Sequence, residues 1–189
     1  MFTLYSADFI NAPSNCSYPH KFEVTDSANF ADAVSRDYVC AEYMNNYRNG
    51  DNFLGSDCLP VDCDNDHSDD PKDWIYPLDV VIAFPDVSLL VSYSRNNMKV
   101  KNGKAARPKF HVYFPIPTMT DGKAYAELKK RIQEFLPYFD ADALGEARFL
   151  YGTDSPDIEV YDGASNVADF IDHDEFTDFD ASTEEISEG

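Results

Sequence analysis

The sequence has no run of about 18 consecutive apolar residues, which excludes a membrane-spanning helix. Its opening, Met1-Phe2-Thr3-Leu4-Tyr5-Ser6, has no basic start followed by an apolar stretch, so no secretory signal is expected there. Cysteine is scarce. Cys16, Cys40, Cys58 and Cys63 are irregularly spaced, with no Cys-x-x-Cys pair. A disulfide scaffold needs denser cysteine in a shorter chain, and zinc held by Cys16 and His20 would need two distant ligands. Reduced, mostly buried thiols in a cytoplasmic protein are the expectation. No internal repeat is visible. Two further absences concern charge: no Lys or Arg follows Arg148, and no Asp or Glu lies between positions 87 and 120.

What is present is enough for one packed domain. Of 189 residues, 43% are hydrophobic and 14% aromatic, which excludes global disorder. Against 15 Lys and Arg stand 35 Asp and Glu, a formal net charge of −20. Taken as a sum, that charge argues against a partner as anionic as nucleic acid. Its distribution argues otherwise. Residues 149–189 hold 13 of the acids, and the first 148 residues hold 22 acids with all 15 bases. Residues 51–86 contain ten aspartates and one lysine, Lys72. The adjoining acid-free stretch carries six bases: Arg95, Lys99, Lys101, Lys104, Arg107 and Lys109. Such a layout is either a solvated loop or a carboxylate metal site beside an anion-binding strip.

Local patterns place these residues on elements. Phe2–Tyr5, Asp37–Tyr43 and Ile158–Tyr161 read as strands, and Asn45–Ser56 as a loop rich in Asn and Gly. A helix capped by Ser27 is expected to run to about Ser35, and Pro77–Phe84 reads as a short helical segment. Cys58–Asp64 reads as a buried strand whose tip is acidic. Ser88–Arg95 and Lys109–Ile116 read as a hairpin with a long basic loop between them. Asp121 caps a helix reaching about Pro137, with Tyr125, Leu128, Ile132, Phe135 and Leu136 on one face. The whole predicts an α+β two-layer sandwich with a mainly antiparallel sheet over residues 1–168. An acidic, disordered tail is expected over 169–189.

Asp62-Cys63-Asp64 puts two carboxylates on one side of a strand. Hard oxygen ligands in that arrangement suit Mg²⁺ or Mn²⁺. Five Asp-x-Asp triplets occur, so spacing alone is weak. What singles out this one is the apolar run before it, because buried same-face acids are costly without cations. His111 and Lys109 share a strand face and could hold a triphosphate, although a lone strand histidine is more often a hydrogen-bonded structural residue. Asp140 has the ordinary role of a turn or cap residue, and Arg148 that of a surface ion pair.

Together, and in this order, these positions resemble the archaeo-eukaryotic primase superfamily, and in particular the primase domains of phage and plasmid replication proteins. Leu59-Pro60-Val61-Asp62-Cys63-Asp64 matches a hydrophobic run into Asp-x-Asp/Glu. Lys109-Phe110-His111 matches the second motif, a small or basic residue, any residue, then His. Phe139-Asp140 matches the third, with Arg148 as a following arginine. The resemblance covers roughly residues 35–165. It implies a primase-like catalytic core and template-directed nucleotidyl transfer. Asp62, Asp64 and Asp140 would hold Mg²⁺ or Mn²⁺; Lys109, His111 and Arg148 would contact a nucleoside triphosphate. The stretch from Arg95 through Lys99, Lys101, Lys104 and Arg107 would follow single-stranded DNA. Many relatives fuse this domain to a helicase, so a separate replicative helicase is an expected partner, and no membrane is. Competing readings are a catalytically silent replication adaptor, an acidic DNA mimic and a metal-dependent nuclease.

Overall fold

The computed structural model describes residues 1–173. Within these, nine strands and three principal helices build two antiparallel sheets and the layers packed on them. The strands are β1 (Phe2–Ser6), β2 (His20–Val24), β3 (Tyr38–Val39), β4 (Glu42–Tyr43), β5 (Phe53–Cys63), β6 (Leu89–Tyr93), β7 (Phe110–Met119), β8 (Phe149–Leu150) and β9 (Ile158–Tyr161). Three helices are α1 (Ser27–Ala33), α2 (Pro77–Ala83) and α3 (Gly122–Phe135), and residues 167–173 are also helical. One sheet has the order β2-β1-β3-β8 and the other β4-β5-β7-β6-β9. The fold is α+β, as the sequence pattern predicts. No helix among the described residues is long and apolar enough to cross a membrane.

The period-two alternation of β5 organises the molecule. Leu59, Val61 and Cys63 point to one face, where they join Val91, Val112 and Phe114 of β6 and β7 under α2 and α3. From α3, Tyr125, Leu128 and Ile132 of the predicted face fill that layer, while Phe135 is exposed and Leu136 lies just past the helix end. Cys58 points the other way and packs with Leu90, Tyr113 and the N-terminal unit, including Phe2, Leu4 and Phe30. Asp62 has the parity of Cys58. It therefore faces the second sheet and not the helices.

Several expectations are corrected. α1 is capped by Asp26, whose carboxylate accepts from the Asn29 amide at 2.8 Å, and not by Ser27. The Asp37–Tyr43 strand divides into β3 and β4, one in each sheet, because Val39 and Tyr38 pair with β1 and β8 while Glu42 and Tyr43 pair with β5. The loop assigned to Asn45–Ser56 ends early, since β5 begins at Phe53. β4 pairs only with Phe53 and Gly55, so Pro60, which has no N–H to offer, lies where β5 has β7 as its one neighbouring strand. The expected tail does not start at 169. Residues 167–173 are helical, Ile171 is buried in the core, and Arg131 pairs with Asp172 at 2.9 Å. The rest of that expectation, residues 174–189, lies outside the described residues.

Candidate active site

β5 and β7 run antiparallel in a register that sets Asp62 directly opposite His111. The two side chains meet, with His111 Nδ1 2.6 Å from Asp62 Oδ1. An ionised carboxylate can only accept, so Nδ1 carries the proton. The second oxygen of Asp62 accepts from Arg148, which directly precedes β8 in the other sheet. Asp62 is 4% exposed. Burial alone would raise its pKa, but the His111 and Arg148 contacts outweigh burial and hold it near about 2. Asp64, just beyond the strand, is half-buried. Burial and the Asp62 charge raise its pKa against the pull of Lys109.

These residues line one cavity of about 260 Å³ between the sheets, with Asp62, Asp64, His111 and Arg148 joined by Arg95, Lys101 and Tyr151. Arg95 stacks on Tyr151, its guanidinium 4.6 Å from the ring centroid, and bonds Asn11. A second cavity of about 150 Å³ adjoins the first and shares Asp64 and Lys101 with it; Lys99, Lys104, Arg107 and Lys109 complete its cationic wall. Lys109 lies here, 3.9 Å from Asp64 and 3.8 Å from Asp66, and not beside His111 in the first cavity. Lys99, Lys101 and Lys104 are exposed.

Two sequence-predicted residues have other jobs. Arg107 is 1% exposed. Its guanidinium donates to the Asn65 and Ser68 carbonyls at 2.9 and 3.1 Å and to Asp69 at 2.7 Å, so it staples the acidic loop at the wall of the second cavity. Asp140 accepts from the Asp142 amide at 2.9 Å, capping a short 3₁₀ turn. Its own N–H bonds the Asp62 carbonyl at 2.8 Å, closing the β5 edge that β4 leaves open. It is therefore next to the site through its backbone, and one of its carboxylate oxygens is taken by its own turn. Among the described residues no three His, Cys, Asp or Glu groups converge as a metal cluster. The donor set still fits a hard cation, because Mg²⁺ is commonly held by one or two carboxylates together with substrate phosphates and water. Asp62 and Asp64 are the pair that would do so.

No family model matches the chain, and no curated protein matches it. Among solved structures it is similar to the AEP domain of the cyanophage S-2L primase-polymerase, at 15% identity with a TM-score of 0.48, over 90% of this chain and 88% of that one. The likeness is distant by both measures.

The sequence pattern missed residues that hold the site in shape. Asn65 adopts φ 53° directly after Asp64 and is 1% exposed. Its amide donates to Pro108 O at 2.8 Å and its oxygen accepts from the Ile75 N–H at 2.7 Å, so it turns the chain away and leaves Asp64 at the rim. An Asn after Asp-x-Asp is the signal that was available, since Asn tolerates the left-handed region. Lys129, on the apolar face of α3, gave no comparable signal. It is 1% exposed and donates to the Gly145 carbonyl at 3.1 Å.

Proposed function

We propose that the protein is a primase or primase-polymerase that joins nucleotides on a single-stranded DNA template during replication of a phage, plasmid or similar element. One observation carries the reading. The two motif residues Asp62 and His111, brought face to face by strand register, share a cavity with Arg148 and Asp64 and with the basic loop. Carboxylates alone would fit many hydrolases, and a basic strip alone would fit any anion. Their adjacency, in the order of the primase motifs, fits a site that takes a triphosphate on one side and a polyanionic strand on the other.

In this reading Arg148 and Lys101 bind the phosphates of the incoming nucleotide, and His111 orients both the nucleotide and Asp62. Asp62 and Asp64 would hold the divalent cation, which when bound would supply charge neutralisation at the phosphates and acidify an attacking hydroxyl. Lys99, Lys104 and Lys109 track the strand in the adjoining cavity, an attraction that falls steeply with salt. Little covalent protein chemistry is asked of the site; positioning and electrostatics lower the barrier. Arg95, stacked on Tyr151, closes the far wall.

The test is incubation of the purified protein with single-stranded DNA, nucleoside triphosphates and Mg²⁺ or Mn²⁺. Lengthened products that vanish in the Asp62→Ala/Asp64→Ala double variant support the reading; shortened DNA would identify a nuclease. A second reading, a catalytically silent replication adaptor, is favoured by the lack, among the described residues, of a third carboxylate converging on Asp62 and Asp64. It expects binding of template and no incorporation with either metal.

A further inference from the structure

The segment that delivers Arg148 is irregular, yet it is held at every residue. Gly145, Glu146 and Ala147 are three consecutive residues outside helix and strand. The Gly145 carbonyl accepts from Lys129 Nζ of α3 at 3.1 Å. The Glu146 carbonyl accepts from the Tyr43 hydroxyl of β4 at 2.5 Å. The Ala147 carbonyl accepts from Arg48 Nη1 at 2.9 Å. The next residue is Arg148, on Asp62. Three side chains, two from residues 43–48 and one from α3, thus grip three successive peptide groups, and the segment ends on the cation of the site.

A merely structural account is uneconomical in one respect. Lys129 and Tyr43 are 1% and 4% exposed, and a loop carbonyl is normally satisfied by water at no such cost. Burial of the Lys129 ammonium pulls its pKa down to about 8, a penalty that an apolar residue on that helical face would avoid. Arg48 also lies over the Phe149 ring at 4.9 Å, so its grip extends to the residue after Arg148. Such a cradle restricts the backbone from which the Arg148 guanidinium reaches across the gap between the sheets.

We propose that Lys129, Tyr43 and Arg48 are positioning residues for Arg148, and that they set the affinity of the cavity for the phosphates of a nucleoside triphosphate. The inference rests on the nucleotide-binding reading above. The experiment measures binding of a fluorescent nucleoside triphosphate, and of inorganic triphosphate as competitor, to the full chain with thermal melting in parallel. Tyr43→Phe keeps the ring against Phe53 and removes one hydroxyl. It should weaken binding roughly fivefold, the equivalent of one neutral hydrogen bond. In an Arg148→Ala background the same change should have no further effect. Arg48→Lys, which keeps a cationic donor, should retain more affinity than Arg48→Ala. An equal loss from Tyr43→Phe with and without Arg148 would overturn the proposal, as would unchanged affinity where Arg148→Ala abolishes binding.

Failure of the underlying reading looks different: the unaltered protein then binds no nucleoside triphosphate. In that case the cradle is judged on the imidazole resonances of His111, which share Asp62 with Arg148. Tyr43→Phe must displace them in the direction that Arg148→Ala does, and unmoved resonances would overturn it.

Discussion

Asp62 is one of the residues at which the two sheets meet, with His111 beside it in the five-stranded sheet and Arg148 reaching it from the end of the other. Its carboxylate is held near pKa about 2 against an ordinary 3.8. A lowered carboxylate pKa contributes stability that is complete above the unfolded value and is lost as pH falls through the folded one. The window is therefore about pH 4 to 2, and the contribution is roughly 2 kcal/mol. Urea unfolding of the parent and Asp62→Asn between pH 5 and 2 should show the parent losing more stability; parallel curves would remove this role. Arg148→Ala should cost about 1–2 kcal/mol, below the usual cost of breaking a fully buried pair, because the guanidinium is 29% exposed. The same variant should lose nucleoside triphosphate binding by a larger margin than it loses stability.

At the scale of elements, β8 is two residues long and depends on Gly152 just beyond it. The Gly152 amide donates to the buried carboxylate of Asp37 at 2.9 Å, and the Asp37 carboxylate also accepts from Ala12 at 2.8 Å. A Cβ on Gly152 would stand 2.6 Å from the Arg36 carbonyl carbon, where there is only backbone. Gly152→Ala must therefore move β8 away from β3, at a cost of about 1–3 kcal/mol. It should weaken nucleotide binding as well, since Arg148 is carried by the same segment. Chemical denaturation together with a binding titration checks both. The long strands behave differently. β5, β7 and α3 follow their apolar periodicity closely, and each is legible as an element without any tertiary contact. β3, β4 and β8 are merged or missed because two residues hold too few positions for alternation to register, and β2 because only Val24 of its five residues is buried; their pairing is settled by partners distant in sequence.

For the molecule as a whole, buried protons and unbalanced charge set the response to pH and salt. Burial raises the thiols of Cys58 and Cys63, the latter to about 12, and the phenols of Tyr38, Tyr113 and Tyr125. Groups raised in this way keep their protons when the unfolded chain releases them, so stability falls as pH rises past the unfolded thiol and phenol values. Lys129 has the opposite sign: lowered to about 8, it adds stability between pH 8 and 10.5. Melting temperature should decline above about pH 9, and more steeply in Lys129→Met. Residues 174–189 hold seven acids and no base. Removing them by truncation after His173 should raise affinity for single-stranded DNA at low salt and leave it unchanged at high salt. Equal affinities at low salt would deny the segment that influence. A cut after residue 168 is the wrong test, because it would take Ile171 out of the core.

The sequence by itself determined the α+β class, the long strands and the amphipathic helix, the motif residues Asp62, Asp64 and His111, and the separation of the net −20 into an acidic end and a basic loop. These arise from local periodicity and from the position of charge along the chain, which need no folding to be read. The tertiary structure decided what each charge is for. Arg107 and Lys101 look alike in a basic stretch, yet one is buried on the carbonyls of the acidic loop and the other is exposed at the shared wall of two cavities. Asp140 resembles a motif carboxylate, and the fold brings its backbone N–H to the Asp62 carbonyl while one of its carboxylate oxygens caps a local turn. Lys129 falls on an apolar helical face, and only the fold brings the Gly145 carbonyl to its ammonium. A charge in a chain has no partner until the backbone closes around it, and for Lys129 and Arg107 that closure joins residues 16 to 42 positions apart.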